Sequence, residues 1–472
     1  MKKKLLSTAI AAGMGMGLMS TAAQAVYVNA QGTGQALLYP YYSADNGNDT
    51  YVQVVNTSDV GKAVKVRFVE SKNSQEVLDF NLYLSAHDVW TGAITATGNG
   101  GAKLVSSDNS CSTPRIPANG EAFRTHEFST DDDNTVERTL EGHVEIITMG
   151  DIDPNSDLHR AITHSGGQLP GEPGATCDNY VNQLAYNAES AGDLTSSPTG
   201  GLYGFAQLVN VETGTAAIMD ATALADFTSI NIWHEPGTTL PNLESGNTDA
   251  ILFSEGGVLT LPAAPMSTGD GDPVSAVLMT RNIQNSYVVD PRINAGTDWV
   301  VTFPTKHLYV NQSPAAKPFT GVWDDESDKG PGPRLGAACE EVTLTYWDRD
   351  EQRPSGGIDF SPQPEGGTNS LCYEANVITF SNSDVIGSPN SYNLDVIYNA
   401  GWMDIAFAGT NNYFNVVDDE GNNHALYGLP AIGYMINEYQ NGTIGGVVRN
   451  YMGASKHKET SPVGDFVEEA TP

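Results

Sequence analysis

The sequence is poor in basic residues, cysteine and long apolar runs, and each shortage excludes something. Only 23 Lys and Arg stand against 57 Asp and Glu, for a formal charge of −34. Nucleic acid and anionic lipid both need a basic surface, so neither is expected as a partner. Beyond the first 25 residues no stretch reaches the roughly 18 apolar residues of a spanning helix. The four cysteines include no C-x-x-C pair, which argues against a thiolate zinc site. No G-x-S-x-G elbow, P-loop, dinucleotide fingerprint or H-E-x-x-H helix occurs. The expectation is a protein without a catalytic role. A secreted hydrolase assembled from distant acids is the alternative, because 57 carboxylates offer many pairs that only geometry selects.

What is present points outward from the cytoplasm. Lys2, Lys3 and Lys4 precede an apolar stretch from Leu5 to Met19, followed by Ala23-Gln24-Ala25, the pattern of a cleavable leader. Cleavage before Val26 removes 25 of the 472 residues and leaves 447. Those 25 hold three Lys and no acid, so the charge moves from −34 to −37. The first cysteine is Cys111, so no lipid-anchoring cysteine lies near the cleavage point. The chain ends Ala470-Thr471-Pro472, without the terminal aromatic strand of an outer-membrane barrel. An extracellular or cell-surface location is expected, with the periplasm as alternative. Four cysteines in an exported chain permit three pairings. Cys111 with Cys177 and Cys339 with Cys372 is the expected one, each bond then closing a local loop worth about 4 kcal/mol in the chain-entropy picture.

Alternation gives the fold class. Val64, Val66 and Phe68 share one face of a strand while Lys65 and Arg67 take the other. Leu78, Phe80, Leu82 and Leu84 do the same against Asp79, Asn81 and Tyr83, and Ser71 to Ser74 supply the turn of a hairpin. Later strands are read around Val144 and Ile146, Trp299 to Phe303, Val342 to Tyr346 and Trp402 to Phe407. The 49 Gly and 25 Pro, about 16% of the chain against a usual roughly 12%, fit many turns between short strands. A mainly β chain with two β-sandwich domains of immunoglobulin-like type is expected. The divisions fall at 1–25 for the leader, 26–165 for an N-terminal sandwich, 166–275 for a middle segment and 276–472 for a C-terminal β-rich domain. Short helices are expected in the middle, at Cys177 to Ala188 and at Asp220 to Phe227 with Asp220 as N-cap. Asn311 to Gly336, with four prolines and four acids, reads as an exposed loop. Tyr51–Asn56–Gly61, Phe205–Asn210–Gly214 and Ile432–Asn437–Gly442 form a threefold echo, each read as a buried strand ending at Asn with a Gly-closed turn.

The one local candidate for a ligand is Asp151, Asp153, Asn155 and Asp157, four oxygen-bearing side chains at alternate positions of a turn. Such spacing suits Ca²⁺, although Ser156 and Ile162 depart from the EF-hand pattern. Asp131 to Asn134 and Asp45 to Asp49 are further acidic turns, read as solvated. His87, His159, His164 and His234 have no nucleophile or metal-pair spacing beside them. The 20 Tyr and 6 Trp are expected mostly in cores, with stacking on sugars as their alternative use.

Several stretches together carry a resemblance: Gln53 to Thr57 leading into Lys65 to Phe68, Glu76 to Leu82, His87-Asp88-Val89-Trp90, and Thr297 to Pro304. They resemble a group of exported proteins of Gram-negative bacteria described only as hypothetical or cell-surface proteins. The resemblance implies a location and carries no activity or site residue. The leading functional expectation is a structural protein of the cell exterior that assembles with copies of itself through strand edges or acidic loops. A secreted binding module for polysaccharide or another surface polymer is the second.

Overall fold

The computed structural model describes residues 24–131, 133–164, 177–182, 186–195, 197–254, 257–263, 272–310, 315–323, 338–354, 358–361, 369–407 and 411–463. Of the expected leader, 1–25, Ala25 is described and begins the strand Ala25–Val28, whereas residues 1–23 lie outside the described residues. So do most of the Asn311 to Gly336 loop and Gln183 to Ala185 of the expected helix after Cys177.

The chain is mainly β, and two large sheets occupy its first half. The first has nine strands, in the order Gly257–Leu261, Asp249–Ser254, Ala25–Val28, Thr222–Ala225, Ala36–Ser43, Glu141–Ile152, Gly61–Glu70, Glu76–Leu84 and Cys111–Thr113. The second has six: Thr215–Asp220, Leu202–Asn210, Asn48–Asn56, Val89–Ala96, Ala102–Val105 and Glu121–Ala122. Val64, Val66, Phe68, Phe80 and Ile146 of the first pack on Val52, Val54, Trp90, Ile94 and Leu104 of the second, the apolar faces that alternation marks. Each fully buried side chain of this size contributes roughly 1.5–3 kcal/mol.

Strands from 202–225 and 249–261 complete both sheets. Leu202–Asn210 pairs along Asn48–Asn56, and Thr222–Ala225 pairs with Ala36–Ser43 and Ala25–Val28. Asp220 to Phe227 is therefore not the expected helix. Thr222–Ala225 is a strand, fully buried between two neighbours, and its sheet position overrides the helical propensity of its alanines. A short helix does run Cys177–Val181. The echo holds twice: Asn56 Nδ2 donates to the Val60 and Ser85 carbonyls, and Asn210 Oδ1 accepts from Thr213 N–H, each closing a turn. It fails at Asn437, which sits inside the long strand Ile432–Ile444.

In the second half a six-stranded sheet runs Phe360–Ser361, Ser391–Leu394, Ala375–Phe380, Ala295–Thr302, Ile432–Ile444 and Val447–Lys456. Its two faces have different neighbours. Val300, Val377, Tyr434 and Ile436 join the core of the first half, whereas Trp299, Val301, Ile378 and Phe380 pack on Ile283, Tyr287, Tyr346, Met403 and Ile405. Those last residues belong to a four-stranded sheet, Thr343–Asp348, Ala400–Ala406, Asn282–Val288 and Lys458–Glu459. Burial on both faces explains why Trp299 to Phe303 is apolar at nearly every position. Glu141 fastens the halves: it accepts from Tyr41 Oη and Ser388 Oγ, both at 2.7 Å, and from Asn390.

The outer face of the nine-stranded sheet is polar, as alternation requires, yet it is not wet. Lys65 and Arg67 on it are 0% and 5% exposed, and Lys62, at the end of the opposite face and covered by Thr199, is 0% exposed. Lys62 pairs with Asp151 at 2.6 Å, Lys65 with Asp79 at 2.7 Å, and Arg67 with Glu76 at 2.8 Å and with Glu145. The segment after Phe227 lies over them, the carbonyls of Glu235 and Thr238 accepting from Lys65. Burial raises the Glu145 carboxyl, but Arg67 first, then His143 and His307, overcome it and hold the group at about 2. Burial raises Glu76 to about 7, against the pull of Arg67.

The cysteine sulfurs stand as Cys111–Cys177 and Cys339–Cys372, the expected pairing. Among the described residues no helix is long and apolar enough to cross a membrane.

Two outcomes follow from this packing. Arg67→Ala leaves Glu145 charged in a closed site, and the expected loss is about 3–5 kcal/mol of unfolding free energy. Arg124→Ala, which breaks only the exposed pair with Glu121, costs under about 1 kcal/mol; urea unfolding compares them. His457 is 3% exposed, its Nε2–H donating to Val300 C=O and its Nδ1 accepting from Asn285 Nδ2, and burial pushes its pKa down to about 3. The unfolded ring takes its proton near pH 6.5 and the folded one does not. Stability therefore falls as pH drops from about 6.5 to 3, by roughly 1.4 kcal/mol per pH unit for this group. His457→Gln flattens that slope by about one proton, read from unfolding midpoints across the same pH range.

Candidate functional site

The expected cation-binding turn does not bring its oxygens together. Asp151 turns into the sheet, where it meets Lys62 and accepts from Thr199 N–H and Oγ1. Asp153 closes the turn on Asn155 N–H at 2.8 Å, and Asp157 pairs with Arg160 one helical turn on. Among the described residues no group of three or more His, Cys, Asp or Glu is arranged to hold a metal ion. The physical reason is that the four residues belong to three local structures: Asp151 ends a strand, Asp153 and Asn155 form a turn, and Asp157 opens the helix Asp157–Ile162, so their side chains do not converge. The other acidic turns are committed too: Asp131 and Asp133 pair with Arg138 and Lys72, and Asp45 accepts from Asn46 N–H. Of the histidines, His87 meets Asp59 at the surface and His234 sits against the Ile232 carbonyl.

A cleft of about 550 Å³ opens beside the Cys111–Cys177 bond, walled by Trp90, Asp108, Ser110, Arg115 and Ile116. Its polar groups mostly build the loop itself. Asp108 accepts from Thr91 N–H and from Ser110 N–H and Oγ, and Ser106 Oγ donates to the Thr91 carbonyl. The buried cluster of Arg67, His143 and Glu145 is likewise a joint, with His143 and Glu145 closed to solvent.

An open arrangement stands instead on the outer face of the four-stranded sheet. Trp347 and Trp402 are directly opposed across two strands, with ring centroids 4.1 Å apart and planes at 10°. Alternation puts them there. Leu344 and Tyr346 face the core with Met403 and Ile405, so Thr343, Thr345 and Trp347 turn outward beside Trp402, Asp404 and Ala406. A turn then folds Arg353 back: Asp348 Oδ1 accepts from the N–H of Asp350 and Gln352, with Glu351 at φ 65°. The guanidinium lies 5.1 Å from the Trp347 ring, a cation–π contact worth about 0.5–1 kcal/mol at an exposed site.

The next strand sets Ser286 beside Trp402 and Gln284 beside Asp404. Ser286 is small and exposed, and Trp402 keeps 39% of its surface in water. Asp404 Oδ2 gathers the amides of Asn282 and Gln284. The face thus offers an indole plane and edges, a guanidinium, a hydroxyl, two amides and a carboxylate on rigid strands. Carboxylate and amide hydrogen bonds fix direction, and an indole buries the apolar face of a ring-shaped ligand. The runs Val342 to Tyr346 and Trp402 to Phe407 do contain this signal, since extending the first by one residue puts Trp347 on its polar face. That the two tryptophans meet is a matter of strand pairing.

In comparisons with family models, curated proteins and solved structures, nothing matches the chain.

Two indoles stacked this closely couple their transitions. The far-ultraviolet circular dichroism is expected to show an exciton couplet that Trp347→Phe and Trp402→Phe each remove and Trp323→Phe leaves in place.

Proposed function

We propose that the chain is an exported protein of the cell exterior, without a catalytic role, that holds a polysaccharide on the face built around Trp347 and Trp402. The single observation that carries this reading is a stacked tryptophan pair, Trp402 exposed and Trp347 half-buried, set in a row of hydrogen-bonding side chains on the outer face of a sheet. A hexose ring has an apolar face of C–H groups and an equatorial belt of hydroxyls. The first suits the free surface of Trp402, and the second suits Ser286, Gln284, Asp404 and Arg353. A flat, open face suits a long polymer better than a small molecule, which needs enclosure on most of its surface. The two sheet pairs, in the immunoglobulin-like arrangement expected from the alternation, then serve as a rigid mount.

Export agrees with the cysteine bonds, which persist in oxidising compartments, and with the leader pattern at Met1 to Ala25. The deficit of cations suits a polymer that is neutral more than one that is itself strongly anionic.

Affinity electrophoresis in gels carrying a panel of neutral polysaccharides tests the reading, with tryptophan fluorescence in parallel. Retardation and a fluorescence change are expected for at least one polymer. Trp402→Ala is expected to weaken the interaction tenfold or more, as removal of a central aromatic anchor does. Unretarded migration with every polymer, or equal retardation of the variant, overturns the proposal.

A further inference from the structure

The strands Ile432–Ile444 and Val447–Lys456 form a hairpin that runs past the edge of its sheet. Between them Gly445 and Gly446 sit at φ 63° and 80°. Positive φ at both central residues is the backbone of a type I′ turn, which matches the twist of paired strands and favours glycine at both positions. Near the tip the register shifts between Gln440 and Thr443, with Gly442 at φ 65°. Gln440 to Thr443 and Gly445 to Arg449 are all exposed. Consecutive strand residues point to opposite faces, so exposure of every one means that neither face of the tip is covered. The base is braced: Asn450 Nδ2 donates to Thr213 C=O at 2.8 Å while its Oδ1 accepts from Gly442 N–H. Val448 also lies against Gly214 of the first half.

What the hairpin presents differs from the rest of the molecule. Val447, Val448 and Tyr451 are 56%, 47% and 60% exposed, an apolar strip beside exposed Arg449. Between Glu438 and Glu459 there is no acidic residue; Lys456 at the base pairs with Glu459, and near the tip the exposed charge is Arg449. In a chain of formal charge −34 this is an inversion of sign.

We propose that this hairpin is a docking finger whose partner is the acidic surface of a second copy of the same chain. Two copies carrying a large like charge repel at most approaches, and the finger is where that repulsion reverses. Tyr and Arg are the residues that most often dominate contact energy, and exposed valines add apolar area at the same spot. We take the contact as one finger per interface, a heterologous contact that propagates head to tail; a reciprocal pair of fingers would instead close as a twofold dimer. The inference is independent of the aromatic face, which lies on another sheet.

Sedimentation velocity of the chain from Val26 onward, across a concentration series at about 0.15 M salt, reads the contact directly. The wild type is expected to grow in weight-average mass with concentration, without stopping at the dimer. Arg449→Glu is expected to weaken association about tenfold or more, and Val447→Ser with Tyr451→Ser to do so without changing charge. All these positions are exposed, so both variants should match the wild type in circular dichroism and melting. About 1 M salt is expected to weaken the wild type and to affect Arg449→Glu less. A wild type monomeric at every concentration overturns the proposal, as does a dimer that never grows or a variant that assembles unchanged. Liposomes of phosphatidylglycerol and an anionic polysaccharide are run alongside. Binding of a monomeric wild type to either, lost in Arg449→Glu, assigns the finger to that anion and likewise overturns self-docking.

Discussion

Along the strand Gly61–Glu70 every residue is buried, although its sequence alternates apolar with charged side chains. One face needs a hydrophobic partner and finds it in the second sheet. The other holds Lys65 and Arg67, while Lys62 ends the apolar face beside Asp151, and a cation removed from water is tolerated only beside an anion with its remaining donors satisfied. The strand therefore dictates its neighbours: Asp79 and Glu145 must stand opposite Arg67, from where Asp79 reaches Lys65 diagonally, and Asp151 must stand opposite Lys62. It also requires a cover, supplied by the segment that carries Glu235 and Thr238. Replacing such pairs with apolar residues is often neutral for stability, so their consequence lies in register more than in net energy.

That internal use of cations shapes the exterior. A chain already short of Lys and Arg places six of them out of reach of solvent beside carboxylates, and the exposed cations among the described residues stand at separate places. Arg353 on the aromatic face and Arg449 on the hairpin are two of those places, and both lie beside exposed rings. The same economy accounts for the acidic turn at Asp151 to Asp157. One of its carboxylates is claimed by Lys62 and another by Arg160, so the motif that looks like a ligand set is part of the scaffold.

Much of the strand content was legible in the alternation, as were the hairpin around Ser71 to Ser74 and the cysteine pairing. Turn-forming asparagines at 56 and 210 were also readable, because a side chain that caps a turn does so within a few residues of its own position. Other features were not. Thr222–Ala225 looks helical, since alanine and leucine favour helices when no neighbouring strand is present to compete. Trp299 to Phe303 reads as one strand of a two-layer sandwich. Only the second contact, on the core of the first half, shows why both of its faces are apolar. The aromatic site was half legible: alternation assigns Trp347 and Trp402 to outward faces, but their stacking depends on two strands separated by more than fifty residues.

By itself the sequence determined the strongly alternating strands and their apolar faces, the leader-like start, the acidic balance and the local loops that the cysteines close. These are short-range properties, set by backbone geometry, side-chain period and the charge of each residue. Only the tertiary structure decided that the polar face of the nine-stranded sheet is dry, that the acidic turn diverges, that two indoles stack in the open and that a cationic hairpin projects from an anionic body. Each of those depends on which distant segments meet, and a period of two along a strand says nothing about what lies across it.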